Sequence, residues 1–123
     1  MNYLPIFLCC ALLVSAASSA SGADARISFE KQIKPIFERS CVQCHGKKKQ
    51  EGDFRIDRKK DAMKRGEHGV VIVPGKGSES RLVRLISLPE DDLDLMPARG
   101  DLLTTDEIEL IRKWIDHGAV WGR

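Results

Sequence analysis

Cys41-Val42-Gln43-Cys44-His45 sets two thiols three positions apart and places an imidazole directly after the second. This is the attachment pattern of a c-type haem, and each part has a mechanical reason. Haem c is tethered by two thioether bonds, one to each vinyl group on adjacent edges of the ring. Two intervening residues let both sulfurs reach those edges from one turn of backbone. The histidine then lies under the ring, where it can take an axial site on the iron. A bare C-x-x-C also suits a thioredoxin-like redox pair or half of a zinc site. Neither requires a histidine immediately after the second cysteine. The reading is one covalent haem c, with Cys41 and Cys44 as thioether donors and His45 as the first axial ligand.

Upstream of the motif, Phe29, Ile33, Ile36 and Phe37 recur at helical spacing, which predicts a helix over 28–39 leading into it. Ser28 is its candidate N-cap, and Pro35 should distort the helix or mark where its regular part begins. Downstream, Gly46 opens a loop, as the residue that lets the backbone turn away under the ring. Gly52 to Asp57 alternates apolar and polar side chains, as a short extended segment does. Phe54 and Ile56 are then expected to line a haem crevice. Arg55 is either a propionate partner or an ordinary surface residue.

A short polar helix carrying Met63 is expected over 57–66. An apolar run bounded by turn residues, 68–75, is expected to be buried near the ring edge. Ser78 is the candidate N-cap of a helix over 79–87 with Leu82, Val83, Leu85 and Ile86 as its apolar set.

The stretch 89–101 is acidic and rich in turn residues, yet it carries Leu93, Leu95 and Met96 followed by Pro97. A methionine on a rigid loop suits a sixth iron ligand, because a thioether is a soft donor that favours reduced iron. Fifty residues separate His45 from Met96, enough chain to cross from one face of the ring to the other. Met96 is the candidate. Met63, a histidine or an open site are its alternatives, and plain packing is the ordinary role of such a residue.

Thr104 and Glu107 form a capping box ahead of Ile108, Ile111, Trp114 and Ile115, the apolar face of the last helix. Gly118 suits its end. Trp114 and Trp121 read as core or haem-edge residues. His68 and His117 would complete a Cys-Cys-His-His zinc set with Cys41 and Cys44, but they lie far apart and flank glycines.

The chain has 123 residues and a formal charge of +2, so it has room for one domain. Its first twenty residues carry no charged side chain, and 4–17 is mostly apolar. This predicts a signal peptide over 1–20, with cleavage as late as Ala23, and a haem domain over 26–121. The apolar run is shorter than the roughly 20 residues that span a bilayer, so membrane attachment is expected only if the leader is uncut. Cys9 and Cys10 fall inside that leader. An exported location, periplasmic or secreted, follows. Two propionates would bring the charge near neutral. Lys47-Lys48-Lys49 and Arg58-Lys59-Lys60 against Glu90-Asp91-Asp92 and Asp94 are either solvated loops or a charge dipole for docking on redox protein partners. No basic-aromatic stripe or reading helix points to nucleic acid.

The run Phe29, Ile33, Pro35, Ile36 before Cys41-x-x-Cys44-His45-Gly46 resembles the planctomycete-type cytochrome c domain. So do Arg55-Ile56-Asp57, Val73-Pro74-Gly75, Ser78 to Leu82, Met96-Pro97, Glu107 to Trp114-Ile115 and Gly118-Ala119-Val120-Trp121. The resemblance implies an all-α, small cytochrome c-like fold with helices wrapped around one covalently attached haem. It also implies His45 and Met96 as axial ligands. In that family the domain is often joined to larger ones, whereas this chain stops just after Trp121 and is expected to be free-standing. Ala98 and Asp53 depart from the pattern, where a second Pro and a second Gly are common. The expected function is one-electron transfer by a monohaem c-type cytochrome, with no enzymatic role. The rivals are a haem-based ligand sensor or a peroxidase-like domain with a displaceable or absent sixth ligand, and a zinc-binding structural module.

Overall fold

The computed structural model describes residues 26–122. The expected leader, with Cys9 and Cys10, lies outside the described residues. The chain opens with a π-type turn, Phe29–Ile33, that runs into helix α1, Lys34–Ser40. Pro35 sits in the first turn of α1, directly after the π-type turn, so the proline follows a distorted turn and marks where the regular helix begins. Ser28 caps the entry: its Oγ accepts from the Lys31 N–H at 3.3 Å, and its own N–H donates to Gln32 Oε1 at 2.8 Å.

Helix α2, Lys59–Ala62, is short, with Met63 as its C-cap. A tight hairpin follows, β1 Arg65–Gly66 pairing antiparallel with β2 Gly69–Val70. This strand pair departs from the all-α expectation. Its turn at Glu67-His68 needs Gly69, whose φ of 97° is open to glycine. The apolar run 68–75 is only partly buried: Ile72 is in the core and Val70 is exposed.

Helix α3 spans Arg81–Ile86. Ser80 is its N-cap residue, which corrects the choice of Ser78. The fully buried Ser80 hydroxyl donates to the Lys76 carbonyl at 2.9 Å and accepts from the Val73 N–H at 2.9 Å. Residues 76–80 turn tightly because Gly77 docks on the end of the last helix: its N–H donates to Asp116 Oδ1 at 2.7 Å.

Helix α4, Thr105–Asp116, has the full capping box of Thr104 and Glu107. It ends in a Schellman motif. Ala119 N–H donates to the Trp114 carbonyl, Gly118 N–H donates to that of Ile115, and Gly118 takes a φ of 96°. The core lies between α4, the π-type turn and α1. Phe29, Phe37, Trp114 and Trp121 form an aromatic cluster, with Phe29 and Trp121 centroids 4.2 Å apart. The Trp114 Nε1–H donates to the Val120 carbonyl at 2.9 Å. Among the described residues, no helix is long and apolar enough to cross a membrane.

Candidate functional site

The end of α1 delivers the two thiols. Cys41 and Val42 N–H groups both donate to the Phe37 carbonyl, and the Cys44 and His45 N–H groups both donate to that of Cys41. The 41–45 stretch is therefore one compact turn, with both sulfurs on one side. Gly46 closes it. A Cβ there would lie 2.4 Å from the Val42 carbonyl oxygen, so the position needs glycine for close approach of two backbone segments. Its φ is not in the left-handed region, which corrects the reading of Gly46 as a source of turning freedom.

The chain then folds back beside the histidine. Glu51 N–H donates to the Cys44 carbonyl at 3.0 Å, and Ile56 N–H donates to that of His45 at 2.8 Å. This return brings the Glu51 carbonyl to 3.0 Å from His45 Nδ1. A carbonyl can only accept, so Nδ1 carries the proton and Nε2 keeps its lone pair for a metal. The Phe54 ring packs edge-on against the imidazole, centroids 5.5 Å apart.

Met96 arrives from the other direction. Its N–H donates to the Leu85 carbonyl at 3.1 Å, which hangs the loop on the last turn of α3. Two turns precede it: Asp92 N–H donates to the Pro89 carbonyl, and Asp94 N–H donates to Asp92 Oδ1 at 2.9 Å. The Met96–Pro97 peptide is cis.

These four residues line one cavity of about 420 Å³. Phe54, Ile56, Val71, Leu82, Leu85 and Ile86 supply its apolar wall. Phe54 and Ile56 thus stand where the alternation placed them. Arg55 does not line the cavity. It is only 9% exposed and makes a two-pronged pair with Asp57, Nε to Oδ1 at 2.9 Å and Nη2 to Oδ2 at 2.6 Å. Neither the propionate role nor the surface role fits it. Met63 packs on the core outside the cavity, which removes it as an alternative to Met96. Neither Trp114 nor Trp121 lines the cavity, so both are core residues. Nor does any residue of α4: the longest helix braces the site from behind, and helices do not encircle it.

The chemistry of the sulfurs separates the rival readings. Burial pushes the Cys41 thiol up to about 12, with Arg39 pulling weakly the other way. A reactive redox thiol must be a thiolate at neutral pH. Burial of Cys41 disfavours that thiolate, which speaks against a reactive redox thiol there. His68 lies on the cavity rim, but among the described residues no group of three or more His, Cys, Asp or Glu is gathered to hold a metal ion. The zinc set is not assembled. An apolar slot lined by Cys41, Cys44, an oriented imidazole and the Met96 thioether fits haem c.

Charge at the rim went unread in the sequence. Arg39, Arg81 and Arg99 line the cavity together with Glu51, Asp94 and Asp101. Arg39 is clamped by Glu107 through two bonds at 2.8 and 3.0 Å, and that guanidinium holds the Glu107 carboxyl below the usual range. Lys49 does the same for Glu51 from 2.5 Å. Arg81 is half-buried and has no hydrogen bond or ion pair among the described residues. No local pattern marks Arg81, because its environment is made by the hairpin and α3 together.

Residues 41–100 match a family model described as Planctomycete cytochrome C. No curated protein and no solved structure matches the chain.

Proposed function

We propose, from the premise that this chain carries a planctomycete-type cytochrome c domain, that it acts as an exported monohaem electron carrier with His45 and Met96 as axial ligands. The observation that carries this reading is the convergence of both thiols, an imidazole with Nε2 free and a thioether on one apolar cavity. When bound, haem c supplies a one-electron iron couple. The residues do the rest. Cys41 and Cys44 tether the ring. The Glu51 carbonyl orients His45 and makes its Nε2 a stronger donor. Met96, held to α3 through Leu85, offers a soft ligand that favours reduced iron. Phe54, Ile56, Leu82 and Ile86 keep water from the site. No acid, base or nucleophile is assigned, and the role is electron transfer without catalysis.

The uncharged, apolar 1–20 segment supports export to the periplasm or beyond. The partners are a donor and an acceptor redox protein. Exposed Lys47 and Lys48 and the exposed acidic 90–94 loop supply charge of both signs with which docking on such partners is oriented. A potentiometric titration of the purified protein tests the reading. One reversible one-electron step, in a reduced form that refuses carbon monoxide, is expected. A five-coordinate reduced form that takes up carbon monoxide would favour a ligand sensor or peroxidase-like domain.

A further inference from the structure

Three segments supply the charged rim of the cavity, one of them the 94–101 loop with Asp94, Arg99 and Asp101. The thiols and Arg39 belong to the end of α1, beside Glu107 of α4. His68, Val71 and Arg81 belong to the hairpin and the start of α3, joined by the bond from Leu82 N–H to the Val71 carbonyl at 3.0 Å. Backbone bonds connect the hairpin to the thiol side through the 44–52 loop: Glu51 N–H to the Cys44 carbonyl, and Glu67 N–H to that of Gly52. On a haem the propionates sit on the ring edge away from the vinyls. If the vinyl edge is fixed at Cys41 and Cys44, the propionates lie away from the thiols, where the hairpin–α3 segment and the 94–101 loop are the remaining parts of the rim.

The cations at the cavity differ in what they are free to do. Arg39 is held by Glu107. Arg99 is exposed on the 89–101 loop, as are Asp94 and Asp101, and Glu51 is held by Lys49. His68 sits exposed at the hairpin turn. Arg81 alone combines a helical mount, half-burial and no carboxylate partner among the described residues. A guanidinium drawn out of water without a partner is unfavourable, and its fork suits a carboxylate. We infer that Arg81 is the positioning residue for a haem propionate, which it pairs with and keeps ionised. This rests on the haem reading above.

The test is the midpoint potential of the haem-loaded protein as a function of pH. An ionised propionate favours ferric iron, so the potential falls as pH rises through the propionate titration. A cation beside the carboxylate holds that titration down. Arg81→Gln is expected to lower the potential at neutral pH and to move the inflection up by about one pH unit or more. Arg81→Lys, which keeps the charge without the fork, is expected to move it less, and it serves if the glutamine variant does not fold. The shift is expected to persist in a His68→Gln background, which removes the other titrating group from that rim. Arg84→Gln, on the exposed side of α3, is expected to leave the inflection in place. An unmoved inflection in both Arg81 variants overturns the assignment. So does a shift lost in the His68→Gln background, or one matched by Arg84→Gln. Absence of covalent haem in the unaltered protein is a separate result, which overturns the haem reading itself.

Discussion

Met96 is held on the cavity wall by its backbone, through Leu85, and this leaves the thioether free to ligate. On the proposed ligation, replacing it would remove the sixth ligand together with a partly buried contact to the core. Met96→Ala is expected to lower the midpoint potential, alter the ferric absorption spectrum and open the reduced iron to carbon monoxide. An unchanged spectrum and potential would remove Met96 from the iron. His45 was legible because its neighbours in sequence define it. The partner of its Nδ1 was not, since Glu51 reaches it only after the chain reverses. Arg55 was misread for a related reason. Alternation correctly turned it away from Phe54 and Ile56, but its partner, Asp57, lies two residues on, and that pairing leaves no role toward the cofactor.

Turns and caps decide how each element meets the site. The motif turn closes through Gly46, where any side chain meets the Val42 backbone. Gly46→Ala is expected to destabilise the folded protein by roughly 1–3 kcal/mol, read as a lower denaturant midpoint, because the backbone must shift to admit the methyl. The start of α4 is bound to the end of α1 by Arg39 and Glu107, across 68 residues of sequence. The Glu107 carboxyl is held down first by its hydrogen bonds from Arg39, then by Thr104, against the opposing effect of burial. A carboxylate depressed in the folded protein stabilises it above the unfolded value, about pH 4.3, and that stability is lost as pH falls through the folded value. Glu107→Gln is therefore expected to flatten the acid limb of the stability–pH curve, measured by denaturant titration between pH 6 and 3. An acid limb as steep as in the unaltered protein would show that the pair contributes nothing. The capping box and the Schellman end of α4 were legible because both are written in adjacent residues. The start of α3 was not: Ser78 and Ser80 are equally good caps locally. What separates them is Gly77 docking on Asp116, 39 residues away.

At the scale of the whole molecule, one hydrophobic cluster joins α1 and α4 to α3 and the 54–56 segment, and its front members also line the cavity. Behind the site, α4, α1 and the aromatic cluster make a packed core from protein alone. In front, the 46–57 loop, the hairpin, α3 and the 89–101 loop surround a cavity of about 420 Å³, whose apolar wall a bound ring would cover. A protein with both thiols replaced, Cys41→Ser with Cys44→Ser, is expected to keep most of its helix signal and lose fixed packing around the site. Far-UV circular dichroism would be largely retained, near-UV dichroism weakened and thermal unfolding broadened. A melt as sharp as that of the haem-loaded protein would show that the fold does not depend on the ring. The helical periods and the motif were enough to read a small helical haem domain. The division of labour was not readable, because the placement of α4 behind the cavity depends on contacts between distant segments. The hairpin escaped notice since two-residue strands leave no period.

Everything at the three scales presupposes sulfur–carbon bonds between Cys41, Cys44 and the ring. Mass spectrometry of the denatured, exported protein, made alongside the haem-ligation machinery, measures this directly. The account predicts a mature chain heavier by the mass of one haem, with the addition confined to the peptide containing 41–45 and absent from the double serine variant. A denatured chain at the bare polypeptide mass, with haem absent or washed free, would contradict it.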